Sequence, residues 1–360
     1  MTIDSTPRPK VKDRAAPGRR WPARVTSLAA LWSLAYGALG LWWTFGGDGF
    51  PFGVGDREAE LSLLAGLTPQ IGGPVIAALG LGGALVALLM ARGAGPRPLV
   101  IGFAAIMAVG LAVVIPDYRV LMLVAYAPIL LVALPLGLLP IDPAMALAWP
   151  RINLLIVTAG GILWGVAALA YHRRTAGACV SCGRRDTLTH RHWTTPESAR
   201  RWGFWAVHVA ALVPEIYGVT RYAWALGIPL GMDAQTHAEG AESGLWLVGA
   251  FLGVLGTLGA ILTIGLNRPW SEIWPRWVPR LRGRRVPTMF PVIFAGIVSV
   301  VVLSAGLMFW WQTLRTGFDW ANWAMGGPQM LWPLWGVALA VAAYGYYLRT
   351  RGTCRTCGRS

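Results

Sequence analysis

Residues 70–91, QIGGPVIAALGLGGALVALLMA, form an uninterrupted stretch without a charged side chain. About 20 apolar residues in a helix cross a hydrocarbon core about 30 Å thick, so this stretch predicts a transmembrane helix. Composition agrees, because the chain is 55% hydrophobic and only 13% charged, whereas soluble domains carry about 25% charged residues. The sequence therefore predicts an all-α polytopic membrane protein. Seven further segments have the same character: 22–46, 98–115, 152–171, 203–228, 244–266, 288–311 and 328–348.

The segments that flank residues 70–91 differ in charge. Residues 47–69 contain four acidic residues and one arginine, whereas residues 92–97 contain Arg92 and Arg97. Lys and Arg are retained in cytoplasmic loops during membrane insertion. If successive loops lie alternately on the two sides of the membrane, 26 of the 31 Lys and Arg residues lie on the cytoplasmic side. The pattern predicts a multi-pass membrane protein with both termini in the cytoplasm, beginning with a basic arm at residues 1–21.

A ninth apolar stretch, residues 120–139 (VLMLVAYAPILLVALPLGLL), decides whether this alternation holds. If it crossed the membrane, the Arg-rich residues 172–201 would lie outside and every later loop would violate the charge rule. Pro128 and Pro135 interrupt a continuous helix. We therefore predict a re-entrant or interfacial segment, although a full crossing with residues 98–115 demoted would satisfy the charge rule equally well.

The two halves of the chain are related by an internal repeat. YHRRTAGACVSCGR (171–184) aligns without a gap to YYLRTRGTCRTCGR (346–359) at an offset of 175 residues. The alignment predicts a first repeat over residues 22–184, a linker over 185–199 and a second repeat over 200–360. An even number of transmembrane helices, four in each repeat, makes the repeats parallel. Both C-x-x-C motifs should then face the cytoplasm.

The four cysteines of the chain are Cys179, Cys182, Cys354 and Cys357, and all belong to these two motifs. A C-x-x-C loop presents two thiolates to one tetrahedral Zn²⁺, and two loops complete a closed four-thiolate site. The sequence therefore predicts a structural zinc ion that joins the repeats. An alternative is a membrane thiol–disulfide oxidoreductase or redox sensor, although the thioredoxin-like βαβ context is missing.

The segment 203–228 carries polar residues where lipid is expected. His208, Glu215 and Tyr222 recur at seven-residue spacing and should share one helix face, and Arg221 adjoins them. Ionisable groups within a membrane usually face a bundle interior or a water-filled cavity and indicate a functional site. We predict a proton relay, an ion site or a contact for a small polar substrate. The alternative is a structural pair of Glu215 with Arg221 or with His208.

Partners and activity follow from the remaining segments. The stretch PWSEIWPRWVPRLRGRR (269–285) interleaves Trp with Arg and predicts contact with anionic lipids at the cytoplasmic face, in preference to nucleic acid. Motifs of ATPases, hydrolases, zincins and dehydrogenases are missing. The sequence thus favours a transport-like or scaffold-like protein over an enzyme, with a lipid-modifying enzyme that uses His208 and Glu215 as a third hypothesis.

Two further stretches carry a resemblance. AYGALGLWWTFGGDGFPFG (35–53) and YAWALGIPLG (222–231) resemble uncharacterised multi-pass membrane proteins of actinobacteria. The resemblance implies a bacterial membrane location and no particular activity.

Overall fold

The computed structural model describes residues 21–133, 148–185, 192–276 and 278–359. These residues form helices and connecting loops, without a β-strand among them. The helices are α1 (Trp21–Thr44), α2 (Pro69–Arg92), α3 (Arg97–Val109), α4 (Tyr118–Ala133), α5 (Trp149–Thr175), α6 (Pro196–Ala225), α7 (Ala234–Glu242), α8 (Leu245–Gly265), α9 (Met289–Thr316) and α10 (Trp332–Thr350). A π-helical turn, Gly110–Val114, continues α3, and a short helix, Trp323–Gly326, precedes α10.

Seven of the described helices are long and apolar enough to cross a membrane: α1, α2, α3 with its π-helical turn, α5, α8, α9 and α10 with the turns before it. They are the helices of a multi-pass membrane protein. The eighth predicted span corresponds to α6, which is 30 residues long but does not belong to this apolar set. His208, Glu215 and Arg221 lower its mean hydropathy. Helix α6 is therefore long enough to cross a membrane but less apolar than the seven candidate spans.

Side-chain contacts define the two ends of the helix bundle. At one end, Arg174 of α5 donates to the carbonyl of Ala91 in α2, and Arg349 of α10 donates to the carbonyl of Leu266 after α8. Cys179 and Cys354 follow α5 and α10 here, and we call this the cysteine end. At the other end of the bundle, which we call the opposite end, Trp149 of α5 donates to the carbonyl of Gly49. The long helices run between these two ends.

Small residues bring α1 and α2 together. A Cβ added at Gly40 would lie 2.4 Å from the backbone nitrogen of Ala77, and one added at Gly80 would lie 2.4 Å from Cα of Gly37. Such backbone proximity is typical of membrane helices, where packing replaces the hydrophobic effect as the source of association. Any larger side chain at Gly40 or Gly80 would force these helices apart.

The helices of each half pack in corresponding pairs. In the first half, α1 packs on α2 and α5, and α3 packs on α5; in the second, α6 packs on α8 and α10, and α9 packs on α10. This pairing agrees with the predicted repeat. The duplication of residues 22–184 in residues 200–360 stays a prediction. Between the halves, α9 packs on α4 and on the π-helical turn, where Ser304 donates to the carbonyl of Pro116 over 2.6 Å.

Helices α4 and α5 begin at the same end of the bundle. Arg119, at the start of α4, contacts Asp56, and Arg151, near the start of α5, contacts Glu58. Asp56 and Glu58 belong to the loop that joins α1 to α2 at the opposite end. The predicted re-entrant segment 120–139 lies only partly in α4, and residues 134–147 fall outside the described residues. The re-entrant path thus stays a prediction.

Candidate metal centre and intramembrane polar site

Two short loops at the cysteine end hold the four cysteines, and they have matching backbone hydrogen bonds. In the first, Cys179 N–H donates to the Arg184 carbonyl and Gly183 N–H donates to the Cys179 carbonyl; in the second, Cys354 and Gly358 make the equivalent bonds. Gly183 and Gly358 have φ values of 75° and 71°, in the left-handed region that glycine adopts without strain. Each C-x-x-C-G-R sequence therefore closes the same tight turn.

The four sulfur atoms lie within 4.8 Å of one another. Cys179 Sγ lies 3.9 Å from Cys354 Sγ, and Cys182 Sγ lies 3.6 Å from Cys357 Sγ. Four thiolates around one metal ion at about 2.3 Å would be separated by about 3.8 Å at the edges of a tetrahedron. The distances are much longer than the roughly 2.05 Å of a disulfide bond. The cluster is therefore compatible with a metal site, as the sequence predicted.

The loops also contact each other directly around the sulfurs. Ser181 and Thr356 share a hydrogen bond of 2.9 Å between their hydroxyl groups. Arg184 donates to the Arg359 carbonyl over 2.8 Å, and Arg359 donates to the Arg184 carbonyl over 3.1 Å. These reciprocal bonds hold the two loops in register.

Two of the four thiols, Cys182 and Cys354, have pKa values shifted in opposite directions. Burial raises the pKa of Cys182 to about 12, and the neighbouring sulfurs of Cys357 and Cys179 contribute to the increase. Burial also acts to raise the pKa of Cys354, but hydrogen bonds from the backbone N–H groups of Thr356 and Cys357 outweigh it and lower the pKa to about 6. Cys354 therefore loses its proton at a lower pH than Cys182 does.

The predicted intramembrane site separates into three environments. Glu215 and Tyr222 share one, because Thr257 of α8 donates to Glu215 Oε2 over 3.1 Å and lies 2.8 Å from the Tyr222 hydroxyl. The second carboxylate oxygen, Glu215 Oε1, is buried and has no hydrogen-bond partner among the residues that the structure describes. This polar chain lies between α6 and α8, inside the second half.

His208 lies elsewhere, near the cysteine end of α6. Its Nδ1 lies 2.7 Å from the Phe204 carbonyl, and its ring packs at a tilt of 39° against Phe204 with ring centroids 4.1 Å apart. The imidazole is exposed and lines a surface groove. Seven-residue spacing placed His208 and Glu215 on one face, but two helical turns of about 5.4 Å each separate them along the axis.

Arg221 occupies the third environment and is 6% exposed. Its guanidinium donates to the carbonyls of Ala324 and Met325 and lies 4.3 Å and 4.1 Å from the ring centroids of Tyr217 and Trp224. Among the described residues it forms no ion pair with Glu215. Arg221 therefore attaches α6 to the short helix before α10 by hydrogen bonds and cation–π contacts.

One polar cluster was missed by the sequence reasoning. Arg119 lies between Asp117 and Asp56, with its terminal nitrogens 2.6 Å from a carboxylate oxygen of each. Glu58 lies 3.7 Å from Arg119 and pairs with Arg151; these hydrogen bonds from Arg151 lower the pKa of Glu58. The spacing of Asp117 and Arg119, directly after an apolar stretch that ends in Pro116, was the available signal.

Comparison of the chain with protein families, with curated proteins and with solved structures finds no match. Function must therefore be argued from the residues.

Proposed function

We propose that this chain is an integral protein of the bacterial plasma membrane, transport-like or scaffold-like, whose two halves are joined at the cytoplasmic end by one structural zinc ion. The observation that carries the proposal is the four-sulfur cluster, with all ligand atoms within 4.8 Å. A closed set of four thiolates is typical of structural zinc, whereas catalytic zinc keeps a position for water or substrate.

The position of the cluster supports a joining role. Cys179 and Cys182 follow α5, the last helix of the first half, and Cys354 and Cys357 follow α10, the last helix of the second. An ion bound by all four thiolates would link the two halves at the cysteine end. This link would be separate from the contact of α9 with α4. The matching hydrogen bonds of the loops support parallel repeats.

The metal content of the full chain, purified in mild detergent under reducing conditions, tests this proposal. We expect about one zinc per chain by mass spectrometry, and four thiols that react with an alkylating reagent only after chelation or denaturation. A folded chain that contains no metal, with all four thiols reactive, would contradict the proposal.

A second candidate function, thiol–disulfide exchange, rests on the exposure of Cys354, which is partly open to solvent. In this reaction the Cys354 thiolate would attack the disulfide of a partner protein and release one partner thiolate. A second cysteine would then displace the mixed disulfide, so that the partner gains two thiols and this chain gains one disulfide. Recovery of a cysteine pair that is alkylated only after reduction, without bound zinc, would favour this function.

The polar chain of Glu215, Thr257 and Tyr222 is proposed as the contact for an ion or a small polar substrate. A buried carboxylate oxygen without a hydrogen bond costs about 1–3 kcal/mol or more, so a bound proton or cation would stabilise Glu215 Oε1. Glu215 is one of the polar side chains that make α6 less apolar than the seven candidate membrane spans. The structural alternative, a pair of Glu215 with Arg221 or with His208, is not formed among the described residues, since Arg221 binds the carbonyls of Ala324 and Met325.

Glu215→Gln tests this site. We expect the variant to keep its fold and metal content, because the amide retains the shape of the side chain. We also expect it to lose any rise in apparent Tm that sodium, potassium or acidification produces in the unchanged protein. Glu242→Gln, which removes one exposed carboxylate at the opposite end, is the matched control. Equal ion dependence in all three proteins would contradict the proposed site.

A further inference from the structure

A groove of about 670 Å³ lies on the outer surface at the cysteine end, between the beginning of α6 and the end of α8. Its basic residues are Arg200 and Arg201 of α6 and Arg268 after α8, and all three are exposed. Within the described part of the chain, none of the three forms an ion pair, although Glu197 also lines the groove. The groove thus carries a positive charge that is not neutralised by the protein.

The polar wall continues into an apolar wall along the helices. Trp205 is 70% exposed beside the arginines, and Ile264, at the end of α8, is 37% exposed. Asn267 and His208 add hydrogen-bonding groups between the two walls. Tryptophan at the level of the headgroups and aliphatic side chains below it are the arrangement expected at a membrane interface.

From this arrangement we propose that the groove binds an anionic phospholipid, with the phosphodiester between Arg200, Arg201 and Arg268 and the acyl chains along Trp205 and Ile264. Guanidinium groups bind phosphate oxygens through paired N–H donors. The charge of the headgroup determines which lipid binds, because a zwitterionic headgroup would bring its own cation into a groove that already contains three arginines. This inference is independent of the metal centre.

Native mass spectrometry of the full chain in mild detergent, with phosphatidylglycerol or phosphatidylcholine added, tests the proposal. Each Arg near a membrane surface strengthens the binding of anionic lipid by about fivefold. We therefore expect the triple variant R200Q/R201Q/R268Q to lose phosphatidylglycerol affinity by at least about tenfold, and binding of phosphatidylcholine to be weak and unchanged.

The matched control is R24Q/R92Q/R185Q, which removes the same charge from exposed positions at the cysteine end that lie outside the groove and outside residues 269–285. It is expected to retain lipid affinity, and the single variant Arg268→Gln is expected to lose part of it. An equal loss in the control variant would overturn the proposal, since charge alone would then explain binding. Displacement of the lipid by millimolar inorganic phosphate would also overturn it, because the groove would then recognise the free anion.

Discussion

Cys354→Ser is expected to lower the zinc content from about one ion per chain to nearly none. Removing one of the four thiolates leaves three ligands and opens one position of a closed tetrahedral site. The cluster is partly exposed, so solvent can reach that position. The free energy of binding structural zinc is also free energy of folding. We therefore expect the cysteine end to become less stable, measured as faster hydrogen exchange in residues 176–185 and 351–359.

Ser181→Ala is the matched control for this variant. It removes the hydroxyl that bonds Thr356 across the two loops but leaves all four thiols in place. We expect it to keep its zinc and to change hydrogen exchange only slightly. If Cys354→Ser retained a full complement of metal, the four cysteines would not form one site. If Ser181→Ala lost as much metal as Cys354→Ser, contact between the loops would control binding.

The positions of the helices could be predicted well because hydropathy and length determine them. Residues 70–91 correspond to Pro69–Arg92, and residues 244–266 to Leu245–Gly265. The least accurate boundary is that of α6, predicted at 203 and observed at Pro196. There Thr195 accepts a hydrogen bond from Ser198 N–H and caps the helix, so that α6 begins with a polar turn that hydropathy does not detect.

The cysteine cluster was also predictable, since only helix parity was needed to place both C-x-x-C motifs at one end. The polar residues were not, because helical periodicity gives the face of a side chain and not its partner. Glu215 depends on Thr257, which lies 42 residues later, and Arg119 depends on Asp56, which lies 63 residues earlier. Such pairs are determined by tertiary packing.

Arg119→Met is expected to be strongly destabilising. Asp117 and Asp56 have side chains that are 2% and 6% exposed, and both would lose the guanidinium that neutralises them. Breaking a buried ion pair by removing one partner costs about 3–5 kcal/mol. The measurement is the free energy of unfolding in mixed detergent and denaturant, with zinc content followed in parallel. We expect the loss to appear at the opposite end while the metal is retained.

The same cluster contains its own control, because Arg151 and Glu58 have side chains that are 25% and 42% exposed. Solvent screens this pair, and exposed pairs are typically worth less than about 1 kcal/mol. We therefore expect Arg151→Gln to have a small effect. An equally small effect of Arg119→Met would show that water reaches Asp56 and Asp117. Combining Arg119→Met with Asp117→Asn and Asp56→Asn removes the buried charges together, so we expect this triple variant to recover part of the lost stability.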